Sequence, residues 1–298
     1  MAKDLLKFLL AVLSGVMFIA ALPHNLKIIP LCPHLVWFAF IPYLISIMLA
    51  DNPREAFLLG YLTGVVSHGA LLYWLMSFGP IPVVLLTLTF SLTFAVIALF
   101  TYYMFERLSP FSWWWAFPTA ATAVAFFEGI GLWGFPWLYP AYALAKYPVF
   151  IQSADIAGVW LVIWLVYFTN IALFQIAQSP NAPRLRNRIT AVFVIVGAFV
   201  LSYGCVRLSH NPKGDSINVA LIQGGIESDV VWTESYNLIA RNTYADATER
   251  ALAEAKADLV IWPESSIGDN ITPYRVDSLT GIACCGVPSW GRTAEGGT

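Results

Sequence analysis

Charge is scarce in this sequence. Asp, Glu, Lys and Arg make up 11% of its 298 residues, whereas about a quarter of an average soluble domain is charged. Hydrophobic residues reach 58%, and the two proportions exclude an ordinary cytosolic enzyme and a disordered chain. A basic surplus is also missing, since the formal net charge is −2, which excludes a nucleic-acid binder. Four cysteines are too few for a disulfide scaffold.

The few charges are unevenly distributed along the chain. Residues 1–214 contain 11 basic and 6 acidic side chains, and residues 215–298 contain 5 basic and 12 acidic ones. This pattern predicts a membrane segment of net +5 followed by a water-compatible segment of net −7. A polar run from His210 to Asp215, with Pro212 and Gly214 inside it, marks the boundary. We therefore expect one domain over residues 1–209 and a second over residues 216–298.

The first domain contains seven apolar stretches near the length of about 20 residues that a spanning helix needs. They are residues 5–22, 35–50, 56–76, 81–104, 111–127, 150–177 and 189–206. The second stretch follows Pro30 and Pro33 and contains Pro42, so we expect it to be broken or partly re-entrant. The first stretch could instead be a signal peptide, but no cleavage pattern of small residues follows it.

The basic residues between the stretches predict the orientation. If the N-terminus is inside, seven basic residues lie in inside loops and two, Lys27 and Lys146, lie in outside loops, as the positive-inside rule favours. Arg207 and Lys213 weigh weakly against this orientation. The seven are Lys3, Lys7, Arg54, Arg107, Arg184, Arg186 and Arg188. An odd number of spans then places the second domain on the outer face, which is the periplasm in a bacterium.

Three ionisable residues lie in or beside the apolar stretches. They are His68, Glu128 and Asp155, and such groups are functional candidates inside a membrane. The alternative for Glu128 and Asp155 is solvation at the interface, and for His68 it is a hydrogen bond between helices. The apolar segment Gly131–Trp137 contains two Gly and a Pro. It is a candidate entrance for acyl chains, although packing in the aromatic belt explains it equally well.

The second domain begins with a strand–helix–strand pattern. Residues 217–223 and 258–262 are apolar runs typical of buried strands, and residues 235–257 have the pattern of an amphipathic helix. Such a unit forms a parallel strand pair. Pro263 and Glu264 follow the second strand directly. Glu264 would thus lie where α/β folds bind ligands, either as a general base or as a solvated acid at the start of a loop.

These residues resemble a known family. The combination of Val219-Ala-Leu-Ile-Gln223, Trp232, a helix and Leu259-Val-Ile-Trp-Pro-Glu-Ser265 is similar to the opening of a nitrilase, or carbon–nitrogen hydrolase, domain. Preceded by seven apolar spans, it resembles the apolipoprotein N-acyltransferase family of bacteria. The phrases Leu72-Tyr-Trp74 and Gly134-Phe-Pro-Trp-Leu138 also resemble that family. The resemblance implies a multi-pass α-helical membrane domain followed by an α/β nitrilase-like domain, an αββα sandwich.

The resemblance also implies a reaction. Members of the family transfer an acyl chain from a phospholipid to the N-terminal α-amine of diacylglyceryl-Cys lipoproteins, through a thioester on an enzyme cysteine. Glu264 matches the family's general base. Trp232 matches a Trp near the active site that could bind lipid or acceptor, with ordinary packing as the alternative. The implied partners are a phospholipid donor and an apolipoprotein acceptor in the bacterial inner membrane, with no metal and no soluble cofactor.

The chain departs from the family in its last residues. The family's Lys and nucleophilic Cys lie far downstream of the Trp-Pro-Glu motif, whereas only 34 residues follow Glu264. Lys256 precedes the motif, and Cys284 and Cys285 are too close to it. We therefore expect a fragment or a frameshift within residues 282–298, and no activity of this chain alone. The alternative functions are a non-catalytic module that binds lipid or lipoprotein and a membrane-anchored amidase; a transporter has little support.

Overall fold

The computed structural model describes residues 2–130, 135–210, 214–225, 234–255, 257–263 and 266. The chain divides into two compact units, Met1–Asn211 and Pro212–Thr298. Among the described residues, the regular elements of the first unit are all helices, and those of the second unit are one helix and a pair of short strands. Each unit is described by itself below.

Every predicted apolar stretch of the first unit contains a helix. Four of these helices, α1, α4, α7 and α8, are long and apolar enough to cross a membrane, which supports a membrane domain. Seven crossings remain a prediction, because α3, α5 and the segment Pro33–Met48 are shorter or less apolar. The helices are α1 Ala2–Ala21, α2 Ile41–Met48, α3 Pro53–Leu71, α4 Pro80–Arg107, α5 Trp113–Ile130, α6 Pro148–Ile151, α7 Ala154–Gln178 and α8 Pro183–Leu208.

The second apolar stretch is broken, as its prolines predicted. A 3₁₀ helix, Pro33–Trp37, ends before α2 begins at Ile41. Breaking a helix inside an apolar environment leaves backbone groups that need partners. Asn170 of α7 supplies them, because its Oδ1 accepts from the Phe40 N–H at 2.9 Å and its Nδ2 donates to the Val36 carbonyl at 2.9 Å. The Asn170 side chain is fully buried.

Helices α3 and α4 pack in close contact because α3 presents glycine at its interface. A Cβ on Gly60 would lie 2.4 Å from the Ala98 Cβ, and a Cβ on Gly64 would lie 2.7 Å from the Ser91 Cα. Gly60 and Gly64 are four residues apart and therefore share one helix face. This is the small-residue contact by which membrane helices approach one another closely.

Aromatic rings form the centre of the first unit. The Phe18 ring of α1 lies 5.3 Å from Phe40 and 5.8 Å from the Phe94 ring of α4, measured between centroids. The Tyr43 hydroxyl of α2 donates to the Phe94 carbonyl at 2.7 Å. These contacts satisfy the buried hydroxyl and join three helices in one apolar core.

The second unit confirms the predicted strand–helix–strand order. Strand β1, Val219–Leu221, pairs in parallel with β2, Leu259–Ile261, in the register Val219↔Leu259. Helix α9, Glu234–Ala255, lies between them in sequence. Ile222, Tyr244 and Val260 are buried together, so the helix covers one side of the strand pair. The resemblance implies a larger αββα sandwich, and the described residues contain a two-stranded sheet of it at most. The sandwich stays a prediction.

Candidate functional site

The site that the sequence predicts in the second unit would lie at the carboxyl ends of the two strands. β2 ends at Ile261 and is followed by Trp262 and Pro263. The Trp262 ring stacks on Tyr244 of α9 at 5.3 Å, and its Nε1 donates to the Thr248 hydroxyl at 3.0 Å. Two contacts with α9 therefore anchor the residue that stands two positions before Glu264.

The carboxyl end of β1 lies at the same edge, as parallel pairing requires. The Ile222 N–H donates to the Ile261 carbonyl at 3.0 Å. Gly224 then passes so close to Tyr244 that a Cβ there would lie 2.7 Å from the Tyr244 ring. The next residue, Gly225, has a φ of +64°, which glycine adopts readily. This edge is where ligands bind in open α/β sheets.

The two predicted site residues themselves, Glu264 and Trp232, lie outside the described residues, as do Lys256, Cys284 and Cys285. Their assigned roles therefore stay predictions. The described structure supplies their surroundings, namely the strand that precedes Glu264 and the helix that follows Trp232 in the chain.

Two of the ionisable candidates of the first unit face the same small cavity. His68 and Glu128 both line a space of about 20 Å³ together with aromatic side chains. Glu128 is half-buried. His68 is 2% exposed, and its Nδ1 has no hydrogen-bond partner among the residues that the structure describes. The cavity is far below the several hundred Å³ typical of ligand pockets, so it cannot hold a lipid.

Asp155 is partly exposed and paired with Arg207, and its solvation at the membrane interface stays a prediction. Its carboxylate accepts from the Arg207 Nε at 2.5 Å and from the Tyr203 hydroxyl at 3.4 Å. The two charged side chains are 39% and 46% exposed. The pair joins the start of α7 to the end of α8, and an exposed pair of this kind contributes at most about 1 kcal/mol.

The apolar segment Gly131–Trp137 is described only from Phe135 onward. Phe135 and Trp137 lie 4.5 Å apart between ring centroids, and Trp137 lies 5.3 Å from Trp74. Aromatic packing therefore accounts for the described part of the segment. The predicted entrance for acyl chains includes residues 131–134, which lie outside the described part.

One cluster of charges was missed by the sequence analysis, which counted Lys7 as a loop cation. Lys7 is 1% exposed, and its Nζ lies 2.6 Å from Asp51, 2.7 Å from Glu55 and 3.5 Å from Asp4. Lys3 also pairs with Asp51. The i, i+3 spacing of Asp4 and Lys7 was the available local signal. The cluster binds the start of α1 to the turn between α2 and α3, so these two points lie at one end of the unit.

The comparisons with known proteins agree on one family. Residues 14–172 match the model of the apolipoprotein N-acyltransferase N-terminal domain. An apolipoprotein N-acyltransferase of Geobacter metallireducens is 31% identical over 87% of this chain and 51% of its own length. One from Gloeobacter violaceus is 30% identical over 78% of this chain and 46% of its own length. A third, from Pseudomonas syringae pv. tomato, is 29% identical over 72% of this chain and 44% of its own length.

The chain spans about half the length of the curated relatives that it matches. The family match covers more than half of the chain and runs from within α1 to within α7. It therefore includes the broken second stretch, the α3–α4 contact and the cavity of His68 and Glu128. The chain belongs to the apolipoprotein N-acyltransferase family.

Proposed function

We propose that this chain provides the membrane domain and the opening of the catalytic domain of a lipoprotein N-acyltransferase. The reaction would transfer an acyl chain from a phospholipid to the N-terminal α-amine of a diacylglyceryl-Cys lipoprotein. The observation that carries the proposal is the family match over the helical unit, and relatives named apolipoprotein N-acyltransferase align with most of the chain.

Residues 216–298 are proposed to be the first part of a nitrilase-like domain. The parallel pair with α9 supports this assignment, since such a domain is built from strand–helix–strand units. The anchoring of Trp262 on Tyr244 and Thr248 also supports it. A rigid strand end is what a positioned catalytic carboxylate requires.

Glu264 is the proposed general base of the reaction. An amine attacks an unactivated ester slowly, and a cysteine thiolate divides this step into two easier ones by forming a thioester. The base would take the proton of the thiol and then assist the attack of the amine on the thioester. A Lys and a backbone N–H would stabilise the oxyanion. Trp232 is the proposed contact with lipid or acceptor.

The proposed location is the bacterial inner membrane with residues 216–298 on the periplasmic face. The distribution of basic loop residues supports this orientation. The ion cluster of Lys7 supports the same orientation. It brings the start of α1 and the α2–α3 turn to one end of the unit, as two crossings between these points would require. A lipoprotein acceptor and an outer-leaflet phospholipid would both be reached from that face.

The test uses a chimera, because the relatives are about twice as long as the matched region. This chain is joined to the part of the Geobacter metallireducens relative that lies beyond the match. The chimera is reconstituted with phospholipid and a diacylglyceryl-Cys peptide, and N-acylated peptide is measured by mass spectrometry. We expect transfer by the chimera and none by this chain alone. Glu264→Gln should lower the rate about 10²–10⁴-fold, the usual contribution of a general base.

The matched control is Glu249→Gln on α9, which removes a carboxylate of the same unit that has no proposed role. It should leave the rate unchanged. Full transfer by Glu264→Gln would remove its role as base. Release of ammonia from small amides, without transfer to the peptide, would instead indicate the amidase.

A further inference from the structure

Helix α8 is in contact with the rest of its unit at both ends. Near its N-terminal end, Ile189 is fully buried and the Phe193 ring lies 6.1 Å from Phe168 of α7. Near its C-terminal end, a Cβ on Gly204 would lie 2.0 Å from the Val149 carbonyl oxygen, so the two backbones touch there. The ion pair between Arg207 and Asp155 adds a second contact at this end.

Between these contacts α7 and α8 enclose a groove of about 600 Å³. A Cβ added to Gly197, in the middle of the groove, would meet nothing within 4 Å. The walls are apolar on both helices, and Trp37 and Phe150 line the groove as well. From α7 and α8 the lining includes Leu165, Phe168, Leu173, Phe193, Val196 and Leu201.

The length and composition of α7 and α8 would place the groove at the depth of the hydrocarbon core. Both helices are long and apolar enough to cross a membrane, and the lining residues of α8 begin about 15 Å from its N-terminal end at 1.5 Å per residue. Residues 193–201 extend over about 12 Å around the middle of this 26-residue helix, which would place them in the interior of a hydrocarbon core about 30 Å thick. The medium at this depth consists of lipid chains, and an unfilled groove would forfeit dispersion contacts.

The shape of the groove favours a thin occupant over a helix. One turn of a helix about 10 Å wide occupies roughly 400 Å³, so the groove could accommodate less than two turns. A spanning helix would also have to pass the contacts of Gly204 and Phe193 at the two ends. An acyl chain is narrow and flexible and can enter from the side between these contacts.

We propose that the groove between α7 and α8 binds one acyl chain of a phospholipid of the surrounding bilayer. The groove shares no lining residue with the cavity of His68 and Glu128. The proposed acyl transfer depends on Glu264 in residues 216–298 and not on this groove, so either proposal can fail without the other.

The test places the full chain in nanodiscs that contain a phosphatidylcholine with a diazirine in the middle of one acyl chain. After illumination, the labelled residues are located by peptide mass spectrometry. We expect labelling of residues 165–173 and 193–201 above the level on the exposed face of α4, at Val84, Leu85 and Leu88. Gly197→Leu fills the groove and should reduce its labelling to the α4 level.

Two further variants keep the result interpretable. Ala191→Leu makes a similar change at an exposed position of α8 outside the groove lining and should leave the labelling unchanged. Thr169→Leu narrows the groove from α7 and serves if Gly197→Leu does not fold. Labelling at only the α4 level in the original chain would overturn the proposal. Cross-linking of α8 to a second copy of the chain would also overturn it. So would labelling of the groove by a diazirine fatty acid but not by the diazirine phospholipid.

Discussion

Lys7 shows how one residue can determine the packing of three helices. Its ammonium group is buried among carboxylates that lie 44 and 48 residues away in the chain. Buried cations are stable only when they are paired and hydrogen-bonded. The carboxylates of Asp51 and Asp4 are more than half exposed, and that of Glu55 is 28% exposed, so water solvates the negative partners from outside.

Replacing Lys7 by Met is expected to destabilise the first unit by about 2 kcal/mol. Each hydrogen bond to a charged group contributes about 1.5–3 kcal/mol, and solvation of the exposed carboxylates offsets part of the loss. The matched variant is Lys3→Met, because Lys3 is 53% exposed and pairs with the same Asp51. It should cost less than about 1 kcal/mol. Unfolding in detergent, followed by circular dichroism, measures both. Equal losses would contradict the prediction.

The same cluster predicts a dependence of stability on pH. Hydrogen bonds from Lys3 and Lys7 lower the pKa of Asp51 from 3.8 to about 2. A lowered pKa means that the folded state favours the ionised carboxylate, so its contribution is complete above about pH 4 and is lost as the pH falls towards 2. The midpoint of thermal unfolding in detergent should therefore fall over this range.

Asp51→Asn removes this titration and should flatten that part of the pH profile. Asp4, Glu55, Lys3 and Lys7 still face the position in the variant, so a smaller slope should remain. An unchanged slope in Asp51→Asn would show that another acid controls the transition.

At the scale of elements, small residues and one buried amide determine how the helices fit. Gly60 and Gly64 allow close contact between α3 and α4, and Asn170 satisfies the backbone at the break before α2. Close packing and hydrogen bonding of this kind hold helices together within lipid, where the hydrophobic effect does not drive their association. The prolines of the second stretch determine that it breaks, whereas Asn170 determines that the break is stable.

Gly64→Ala is expected to destabilise the first unit by about 1–3 kcal/mol, the usual cost of overpacking. The added methyl would lie 2.7 Å from the Ser91 Cα, which belongs to the backbone and cannot move away cheaply. Gly69→Ala on the same helix is the control, because its nearest neighbour is the Thr87 methyl at 3.6 Å, an ordinary contact. Thermal unfolding in detergent compares the two. A similar midpoint for both variants would show that α3 and α4 can separate freely.

At the largest scale, contacts of the first unit show how α7 is oriented relative to α5 and α8. The Gln175 side chain near the end of α7 donates to the Pro110 carbonyl before α5, so these two points share one end. Asp155 at the start of α7 pairs with Arg207 at the end of α8. Helix α7 therefore runs in the opposite direction to both α5 and α8.

Single-cysteine labelling tests the proposed orientation of these helices. In a chain whose native cysteines are replaced by Ser, Lys146→Cys lies between α5 and α7 and Asn187→Cys lies in the first turns of α8, both at exposed positions. A membrane-impermeant maleimide should label Lys146→Cys in intact spheroplasts. It should label Asn187→Cys only after permeabilisation. The reverse result would invert the topology and place residues 216–298 on the cytoplasmic face.

Local sequence predicted the elements of this protein well. Apolar length identified the helices of the first unit, prolines identified the broken stretch, and β-branched runs identified the parallel strand pair. These features depend on neighbouring residues, so a window of the sequence contains the information. The number of crossings, the larger nitrilase-like domain and the roles of Glu264 and Trp232 remain predictions.

By itself, the sequence determined which segments are apolar, where they break and which strands follow them. Only the tertiary structure decided that Lys7 is buried among carboxylates, that Asn170 satisfies backbone groups 130 and 134 residues away, and that α7 and α8 enclose a groove. The physical reason is that burial and pairing depend on residues brought together by packing. Hydropathy and spacing report the preference of each segment for lipid or water, but not its neighbour in the folded chain.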